Sequence, residues 1–509
     1  MALRGGKVDF LVLGGGVGGL SAVFYLQRLL AAAETGNSKD TQENPTSKKK
    51  IALLEATSHL GGWLNTTRTN EGSIHEAGPR SMRPQGIVGK NSLNLASTLG
   101  LTDEVVSVLH SHPAAQRRFV YTRGKLHQLP SSLGTLLRRQ EPFSRPLAFD
   151  LAREMLVKRS KVEDETMYEF GLRRFGKGIT ENLLDPFCRG IFAGKLSELS
   201  VRSCFPPLFN FERNYSSVIL GGLLGRASTD PTVGASDLVQ RAKMEKWSVW
   251  SLKDGLQRLT DRLHEVVSEQ AGAEVHAQTP CTKIEFIPDP NATHQKIAMV
   301  HTSDAVWETD RLICALPARN LVEVLPVDLD PLSDHLQDVN SATVAVINLE
   351  YEGSHLPTEG FGYLVPSHER SNVLGVIFDS CAFPQHDRPG PKTTRITCMM
   401  GGAWFRELFG DPDKVDPEWL ASVAMETLKS QIGLVAKPTY CKVNLSQDCI
   451  PNYRVNHHRL LDNMTSYIED QNLPLTLIGA SYKGVSVNDV IYNSRLAAQR
   501  LVPNGHLIV

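Results

Sequence analysis

A glycine-rich turn between a strand and a helix constrains the fold of this chain more than any other feature. An apolar run, residues 8–13, leads directly into Gly14-Gly15-Gly16-Val17-Gly18-Gly19, and residues 21–33 have a helical pattern. Gly14 permits the tight turn, Gly16 lets the backbone approach a pyrophosphate, and Gly19 lets the helix and strand pack closely. The helix N-terminus presents N–H groups to phosphates. The motif predicts a dinucleotide-binding fold, although a glycine turn without a ligand remains the alternative.

The next strand supports the dinucleotide interpretation. Residues 51–54 form an apolar run that ends at Glu55, an acidic residue in the position that such folds use to bind ribose hydroxyls. The separation from Gly19 to Glu55 exceeds the usual gap of about 20 residues. Residues 34–50 contain no apolar side chain and account for the excess, so we interpret them as a solvated surface insertion.

A second glycine pair narrows the cofactor class. Gly61-Gly62-Trp63 follows the acidic residue closely and would place another stretch of backbone against the pyrophosphate, unless it is an ordinary turn. The arrangement resembles the FAD-binding half of the amine oxidase and desaturase superfamily, rather than the NAD dehydrogenases. We therefore expect FAD, bound non-covalently.

Composition and length exclude several other classes. The chain has 509 residues, of which 41% are hydrophobic, and a net charge of −1, so we expect two to three globular domains and no nucleic-acid partner. Its eight cysteines are scattered, which predicts that most of them are buried thiols and that they form neither a disulfide framework nor a metal site. No apolar run is long enough for a transmembrane helix. A first strand at residue 8 leaves no room for a cleavable leader, so the chain is cytosolic or carries its targeting information within the folded part.

The remaining sequence predicts two further structural features of the nucleotide half. Residues 274–302 alternate as a strand pair, and residues 342–404 hold three strand-like runs, which indicate an antiparallel sheet inserted into the nucleotide domain. An apolar strand at 475–480 precedes a helix that we expect to run from near Val485 to about Leu501. The positive end of that helix would stabilise negative charge on a reduced flavin, so both ends of the chain would build one site.

A basic amphipathic region precedes the second half. Residues 93–161 have a helical pattern, and residues 117–161 hold eleven Lys or Arg but three acidic residues, interleaved with apolar side chains. This pattern fits a solvated helical face. It also fits an interfacial surface that binds anionic lipid and inserts shallowly.

Five segments carry a more specific resemblance. They are HPAAQRRF (112–119), CRGIFAG (188–194), LSVRSCFP (199–206), GFGYLVPS (360–367) and GASYKGVSVND (479–489). With the flavin motif, they resemble the protoporphyrinogen oxidases of the mitochondrial eukaryotic type over nearly the whole chain. The resemblance implies six-electron oxidation of protoporphyrinogen IX to protoporphyrin IX, with O2 reduced to H2O2, in haem biosynthesis. It also implies a homodimer bound peripherally to the mitochondrial inner membrane, on the intermembrane-space side, with a possible handover to ferrochelatase.

The resemblance also implies an α/β domain organisation. A Rossmann-like FAD-binding domain would comprise residues 1–92, 211–318 and 446–509. A mostly helical membrane-binding domain would span residues 93–210, and a substrate-binding domain with an antiparallel sheet would span residues 319–445.

The resemblance also implies which residues of this sequence bind FAD and the substrate. For FAD they are Gly14, Gly15, Gly16, Val17, Gly18, Gly19, Glu55, Ala56, Trp63, Gly78, Pro79, Arg80, Ser81, Cys281 (through its backbone), Ala480, Val485, Ser486 and Val487. For the substrate they are Arg118, which would pair with a propionate, Leu364 and Ile377 with Met399 opposite, and Arg189 and Gly190, whose backbone would let the macrocycle approach. An aliphatic clamp and one cation suit a flat apolar dicarboxylate.

Three points stay open at this stage. No histidine or carboxylate is marked out as a general base, so the catalytic proton acceptor is unknown. Gly18 and Lys195 depart from the expected family residues, without weakening the assignment. The alternatives are another flavin amine oxidase or desaturase, and a catalytically silent flavin-binding scaffold.

Overall fold

The computed structural model describes residues 3–37, 49–225, 229–270, 272–290, 292 and 295–503. Within these residues the strands are β1 (Leu3–Leu13), β2 (Ile51–Leu54), β3 (Thr66–Arg68), β4 (Ile74–Glu76), β5 (Val105–Leu109), β6 (Phe119–Thr122), β7 (Lys125–Gln128), β8 (Trp247–Leu252), β9 (Ala273–His276), β10 (Lys283–Pro288), β11 (Lys296–His301), β12 (Ala305–Cys314), β13 (Ser341–Glu352), β14 (Gly362–Leu364), β15 (Val373–Ile377), β16 (Thr393–Gly402), β17 (Tyr440–Pro451) and β18 (Leu475–Leu477).

In the first half of the chain, the early helices pack around the nucleotide motif and the later helices form a separate group. They are α1 (Val17–Asn37), α2 (Gly86–Thr98), α3 (Pro113–Gln116), α4 (Leu133–Leu136), α5 (Leu147–Glu154), α6 (Met167–Arg174), α7 (Lys177–Ile179), α8 (Asp185–Phe192), α9 (Val201–Cys204), α10 (Pro206–Tyr215) and α11 (Val218–Leu224). Those of the second half are α12 (Asp237–Met244), α13 (Gln257–Glu269), α14 (Ala318–Val322), α15 (Asp330–Gln337), α16 (Asp379–Ala382), α17 (Phe405–Phe409), α18 (Pro417–Ile432), α19 (His457–Asp470) and α20 (Val487–Leu501).

The first sheet contains the nucleotide motif. Its central strand β1 lies parallel between β2 and β12, and β9 and β18 extend the parallel part while β10 and β11 form an antiparallel edge. Both faces of β2 and of residues 10–13 of β1 are buried, which explains their continuous apolar sequences. Val12 and Leu53 pack against α1, α13 and α20 on one face, while Leu11 and Leu13 pack against α14, α15 and α19 on the other.

The second sheet has the order β17-β13-β16-β15-β14-β6-β7. Its pairs are antiparallel except β14 with β6. Side chains on one face, such as Tyr363, Val376 and Cys398, form a core with Leu420 and Leu428 of α18. Because alternate residues of a strand point to opposite faces, the residues between them face away from this core.

Helices α5 to α11 pack around a third core of aromatic and aliphatic side chains, with Phe170 and Phe192 at its centre. A fully buried ion pair joins Glu154 at the end of α5 to Arg174 at the end of α6. Glu154 also accepts hydrogen bonds from Ser217 and from the N–H of Val218, at the start of α11. This carboxylate therefore ties three helices together.

The architecture is a mixed α/β fold, as the sequence predicts, and two local features differ from expectation. The predicted helical region, 93–210, also contains β5, which pairs with β8, and β6 and β7, which complete the second sheet. These strands are too short to show a clear alternation, and β5 and β6 find partners more than a hundred residues away. Helix α1 runs to Asn37, so the first part of the predicted insertion is helical. Positions 38–48 of that insertion lie outside the described residues. No helix in the described ranges is long and apolar enough to cross a membrane.

Candidate functional site

The glycine turn forms a backbone cradle that has open space beside one of its glycines, Gly16. The Gly14 N–H donates to the Leu54 carbonyl over 2.8 Å, and its φ of +98° is one that glycine adopts readily. A Cβ on Gly19 would lie 1.9 Å from the Gly14 carbonyl oxygen, so the helix and strand can approach only because that side chain is missing. At Gly16 a Cβ would meet only Gly62, at 3.7 Å. The protein itself leaves the space beside Gly16 open, which fits a pyrophosphate.

Glu55 lies beside this cradle, at the end of β2. Its Oε2 accepts from the Gly15 N–H over 2.7 Å, and its Oε1 accepts from the Thr57 N–H over 2.9 Å. The loop that contains Cys281 joins the same place, because the Thr279 N–H donates to the Glu55 carbonyl. A carboxylate oxygen has room for a second hydrogen bond, so Glu55 can also accept from ribose hydroxyls.

The second glycine pair and the segment 78–81 close the other side of the cradle. The Gly61 N–H donates to the Gly15 carbonyl over 2.9 Å, and Trp63 stays 45% exposed. A Cβ on Gly78 would lie 2.8 Å from the Trp63 carbonyl oxygen, so segment 78–81 packs directly on this turn. Of the predicted FAD positions here, Ala56 is exposed, while Pro79 and Ser81 are half-buried.

Arg80 is buried and bonded within the protein. Its Nη1 donates to Asp379 over 2.8 Å, and Asp379 also accepts from the Thr397 hydroxyl over 2.6 Å. Burial alone would raise the pKa of Asp379, but the charges of Arg80 and Arg395 outweigh it and lower the pKa. The Arg80 guanidinium therefore holds segment 78–81 against the second sheet.

The C-terminal segment reaches the same site. Helix α20 starts at Val487, two residues after the predicted position, and the Ser486 hydroxyl caps it by accepting from the Asp489 N–H. Ser494 donates to the Gly18 carbonyl over 3.0 Å and so joins α20 to α1. The Ala480 carbonyl accepts from the Tyr453 hydroxyl. Both ends of the chain meet at the cradle, as predicted.

These residues fit FAD. An open backbone cradle, a carboxylate at the end of the second strand and the N-termini of α1 and α20 supply a pyrophosphate site, a ribose acceptor and positive potential. In the described part of the chain, no group of three or more His, Cys, Asp or Glu side chains is placed to hold a metal ion.

Three predicted clamp residues share one face of the second sheet. Leu364 pairs with Gly375, which pairs with Met399, and Ile377 lies two residues further along the same face. All three apolar side chains are half-buried, whereas their strand neighbours on the opposite face are buried. Strand register thus brings together residues that are far apart in sequence.

Helix α8 closes over this apolar face. A Cβ on Gly190 would lie 2.7 Å from Cδ2 of Leu364, so the missing side chain leaves room for the leucine. Arg189 is buried; it donates to the Val365 carbonyl over 2.8 Å and stacks over Trp404 at 4.6 Å. Burial lowers its pKa to about 10. Its side chain serves the packing of α8, which leaves only its backbone for the predicted approach of a ligand.

Arg118 lies at the edge of the same face. It immediately precedes β6, whose Val120 pairs with Leu364, and alternation places Arg118 and Leu364 on one side of the sheet. The Arg118 side chain is exposed. The structure thus gathers the predicted cation and the predicted apolar clamp on one surface.

Sequence reasoning missed a polar row on this face. Asn348 pairs with Thr397, donates to its hydroxyl over 3.0 Å and also donates to the Glu76 carbonyl over 3.1 Å. Through Asp379 and Arg80, this row joins the second sheet to the nucleotide side. A buried asparagine within the apolar run of β13 was the available signal.

Comparisons with known proteins show the family of this chain. The pattern of the family described as "Flavin containing amine oxidoreductase" matches residues 19–502. Protoporphyrinogen oxidase of Macaca fascicularis is 40% identical to this chain, and the match covers 97% of this chain and 99% of the macaque chain. Protoporphyrinogen oxidase of Homo sapiens is also 40% identical, and the match covers 96% of this chain and 97% of the human chain. A solved structure from Exiguobacterium sp. 255-15 has a TM-score of 0.75 at 20% identity, covers 98% and 100% of the two chains, and shows the same fold.

Proposed function

The chain belongs to the flavin-containing amine oxidoreductase family and, within it, to the protoporphyrinogen oxidases, and from this we propose that it oxidises protoporphyrinogen IX to protoporphyrin IX with O2 as the acceptor. One observation carries the proposal: the 40% identity to mammalian protoporphyrinogen oxidases covers the nucleotide cradle and the second sheet alike. When bound between the cradle and Glu55, FAD would supply the hydride acceptor for the porphyrinogen and the route by which electrons reach O2. The complete reaction removes six electrons and yields H2O2.

The residues of the chain position the reactants. The cradle around Gly16 and the carboxylate of Glu55 hold the dinucleotide. The N-terminus of α20 directs positive potential toward the place where negative charge develops. The apolar face of Leu364, Ile377 and Met399 binds the flat macrocycle and excludes water from it.

The exposed guanidinium of Arg118 orients the macrocycle on this face. Paired with a propionate, it keeps the carboxylates at the solvent end, where a charge is least costly. The reaction then needs no protein nucleophile, because the cofactor supplies the hydride acceptor.

The two alternatives, a covalent-flavin amine oxidase and a silent flavin-binding scaffold, do not account for these residues. A covalent-flavin amine oxidase would need a cysteine beside the C-terminal motif, but Cys449, the nearest candidate, hydrogen-bonds to the Ala342 carbonyl in the second sheet. A silent flavin-binding scaffold has no need for an apolar face with a cation at its edge.

The decisive experiment is an anaerobic half-reaction. The purified protein is mixed with protoporphyrinogen IX in the absence of oxygen, flavin absorbance is recorded, and oxygen is then admitted. We expect the flavin to bleach, to recover with oxygen, and to yield fluorescent protoporphyrin faster than autoxidation in the presence of the Gly16→Val variant. Bound FAD that never bleaches would favour the scaffold function.

We also propose that helices α4, α5 and α11, with the residues that follow α4 and α5, form a membrane-docking surface. Leu137, Leu156, Phe149 and Leu223 are 66–85% exposed, and the exposed cations Arg138, Arg139, Arg153, Lys158 and Lys161 lie in the same stretch of chain. Exposed apolar side chains with basic neighbours favour shallow insertion into an anionic bilayer. A peripheral enzyme of the mitochondrial inner membrane, facing the intermembrane space, fits such a surface.

Vesicle co-sedimentation tests this surface. The double variant Phe149→Asp, Leu156→Asp should lose binding to vesicles that contain an anionic lipid, while Val327→Asp, which changes an 87% exposed valine elsewhere, should keep it. Equal binding by both variants would contradict the proposal.

The domain organisation and the assembly are further parts of the proposal. The second sheet acts as the substrate-binding domain, the helices around Phe170 act as the membrane-binding domain, and the first sheet binds FAD. We propose a homodimer that releases its apolar product directly to ferrochelatase at the membrane. Sedimentation equilibrium tests the dimer, and co-purification with ferrochelatase tests the handover.

A further inference from the structure

Two exposed arginines, Arg83 and Arg118, lie where the apolar face meets the nucleotide side. Neither guanidinium has an acidic side chain within salt-bridge distance among the residues that the structure describes. By contrast, Arg117 lies 3.7 Å from Glu359, and Arg80 lies 2.8 Å from Asp379. An unpaired pair of cations at the mouth of a site is a binding feature for anions.

The backbone holds Arg83 firmly in this position. Met82 and Trp250 exchange both backbone hydrogen bonds, each 2.8 Å long, and the Asn488 amide donates to the Arg83 carbonyl over 2.9 Å. Asn488 lies in the first turn of α20, two residues after its capping Ser486. The backbone of Arg83 is therefore tied to the first turn of α20, while its side chain is exposed.

Arg118 approaches from the other direction. The Leu129 N–H donates to its carbonyl over 2.8 Å, and helix α3, just before it, is capped by His112. Ala114 of α3 packs against Val106 and Val249 of β5 and β8. Since β8 also pairs with Met82, one packed unit carries both arginines.

The two charges affect each other. Although the Arg118 side chain is exposed as a whole, the protein around its guanidinium partly shields it from water and so lowers its pKa, and the positive charge of Arg83 lowers that pKa further. Two cations held close together without an anion repel each other, so a bound carboxylate removes this repulsion as well as forming its own hydrogen bonds.

We propose that Arg83 and Arg118 together bind the two propionates of the substrate, one guanidinium for each carboxylate. This inference rests on the proposed function and extends it by assigning a role to Arg83. The two propionates of protoporphyrinogen IX lie on adjacent pyrrole rings, so two neighbouring cations match them. The rest of the macrocycle, which carries methyl and vinyl groups, then lies on the face of Leu364, Ile377 and Met399.

The pair also predicts which porphyrinogens are accepted. Coproporphyrinogen III carries two additional propionates in place of the vinyl groups, on the side of the ring opposite the arginines. There they would meet Leu364 and Met399 without any cation, and burying an unpaired carboxylate is costly. We therefore expect a preference for the dicarboxylate over the tetracarboxylate.

The test compares Arg83→Gln with the matched control Arg117→Gln in the flavin-loaded protein. We expect Arg83→Gln to raise KM for protoporphyrinogen IX about tenfold with little change in kcat, as for the loss of one charge-assisted hydrogen bond. Arg117→Gln, which removes the same charge nearby, should leave KM unchanged. With the dimethyl ester of the substrate, which has no carboxylate, the effect of Arg83→Gln should shrink to about twofold or less.

Each failure has a separate meaning. An Arg83→Gln variant that loses activity equally on the acid and the ester, or that loses FAD, would show that Arg83 has a structural role, and the inference would be overturned. The same holds if Arg83→Gln and Arg117→Gln behave alike. A wild-type protein that oxidises neither substrate would instead contradict the proposed function itself.

Discussion

Replacing Gly16 with alanine should separate FAD binding from folding. A Cβ at this position would meet only the Cα and N of Gly62, at 3.7 and 4.0 Å, which are ordinary van der Waals distances. The apoprotein should therefore tolerate the methyl group, and it should even gain about 0.4–1 kcal/mol because the unfolded chain loses freedom. The methyl group fills the space that the pyrophosphate needs, so FAD should be lost.

The size of the effect follows from ligand linkage. At a free FAD concentration one hundred times its Kd, binding stabilises the wild-type protein by about 2.7 kcal/mol. Wild-type protein should melt at a higher temperature when FAD is added, whereas Gly16→Ala should melt at the same temperature with or without it. Flavin absorbance per polypeptide after gel filtration gives the second readout.

Two control variants bracket this result. Gly6→Ala places a Cβ in open space and should keep both stability and flavin. Gly19→Ala places it 1.9 Å from the Gly14 carbonyl oxygen, which no side-chain movement can relieve, so that variant should fail to fold. If Gly16→Ala retained a full complement of FAD, the pyrophosphate would not lie in this cradle.

Three further predictions concern other parts of the molecule. Burial raises the pKa of Glu76 from 4.5 to about 7, so the folded state binds a proton more tightly than the unfolded chain. The free energy of unfolding should therefore fall by up to about 3 kcal/mol as the pH rises through this window. Glu76→Gln should remove this pH dependence in thermal melts recorded at several pH values. Glu154→Leu should leave the buried Arg174 charge with only the more distant Glu212 carboxylate, 3.6 Å away. The free energy of unfolding should fall by about 3 kcal/mol in urea titrations; a loss below 1 kcal/mol would refute this. Gly190→Ala should push Leu364 toward the substrate, because the new Cβ would approach its Cδ2 to 2.7 Å; KM should rise while flavin content stays at the wild-type level.

The nucleotide cradle could be predicted well from sequence because its determinants are local. Gly14 to Gly19, the strand before them and the helix after them are consecutive residues, and each glycine answers a steric requirement of its own turn. The start of α20 was predicted within two residues for the same reason, since a serine cap three residues before an acidic one is a local signal.

The substrate face could be assigned only through the family resemblance. Leu364, Ile377 and Met399 have the composition of core residues, and only strand register shows that they share the half-buried side of the second sheet. The role inferred for Arg83 had no sequence signal apart from its place near the flavin segment. The parallel pairing of β6 with β14 was missed because a four-residue strand carries too little periodicity to be recognised.

The sequence by itself determined the dinucleotide cradle, the mixed α/β fold and the apolar strands β1, β2, β13, β15 and β16, because each follows from the spacing of neighbouring residues, whereas the choice of FAD came from the family resemblance. Only the tertiary structure decided that Gly190 makes room for Leu364, that Asn348 joins the second sheet to the hairpin of β3 and β4, and that Arg83 and Arg118 belong to one packed unit. These contacts join segments that are far apart in the chain. Their partners are chosen by the packing of whole sheets and helices, which local spacing does not encode.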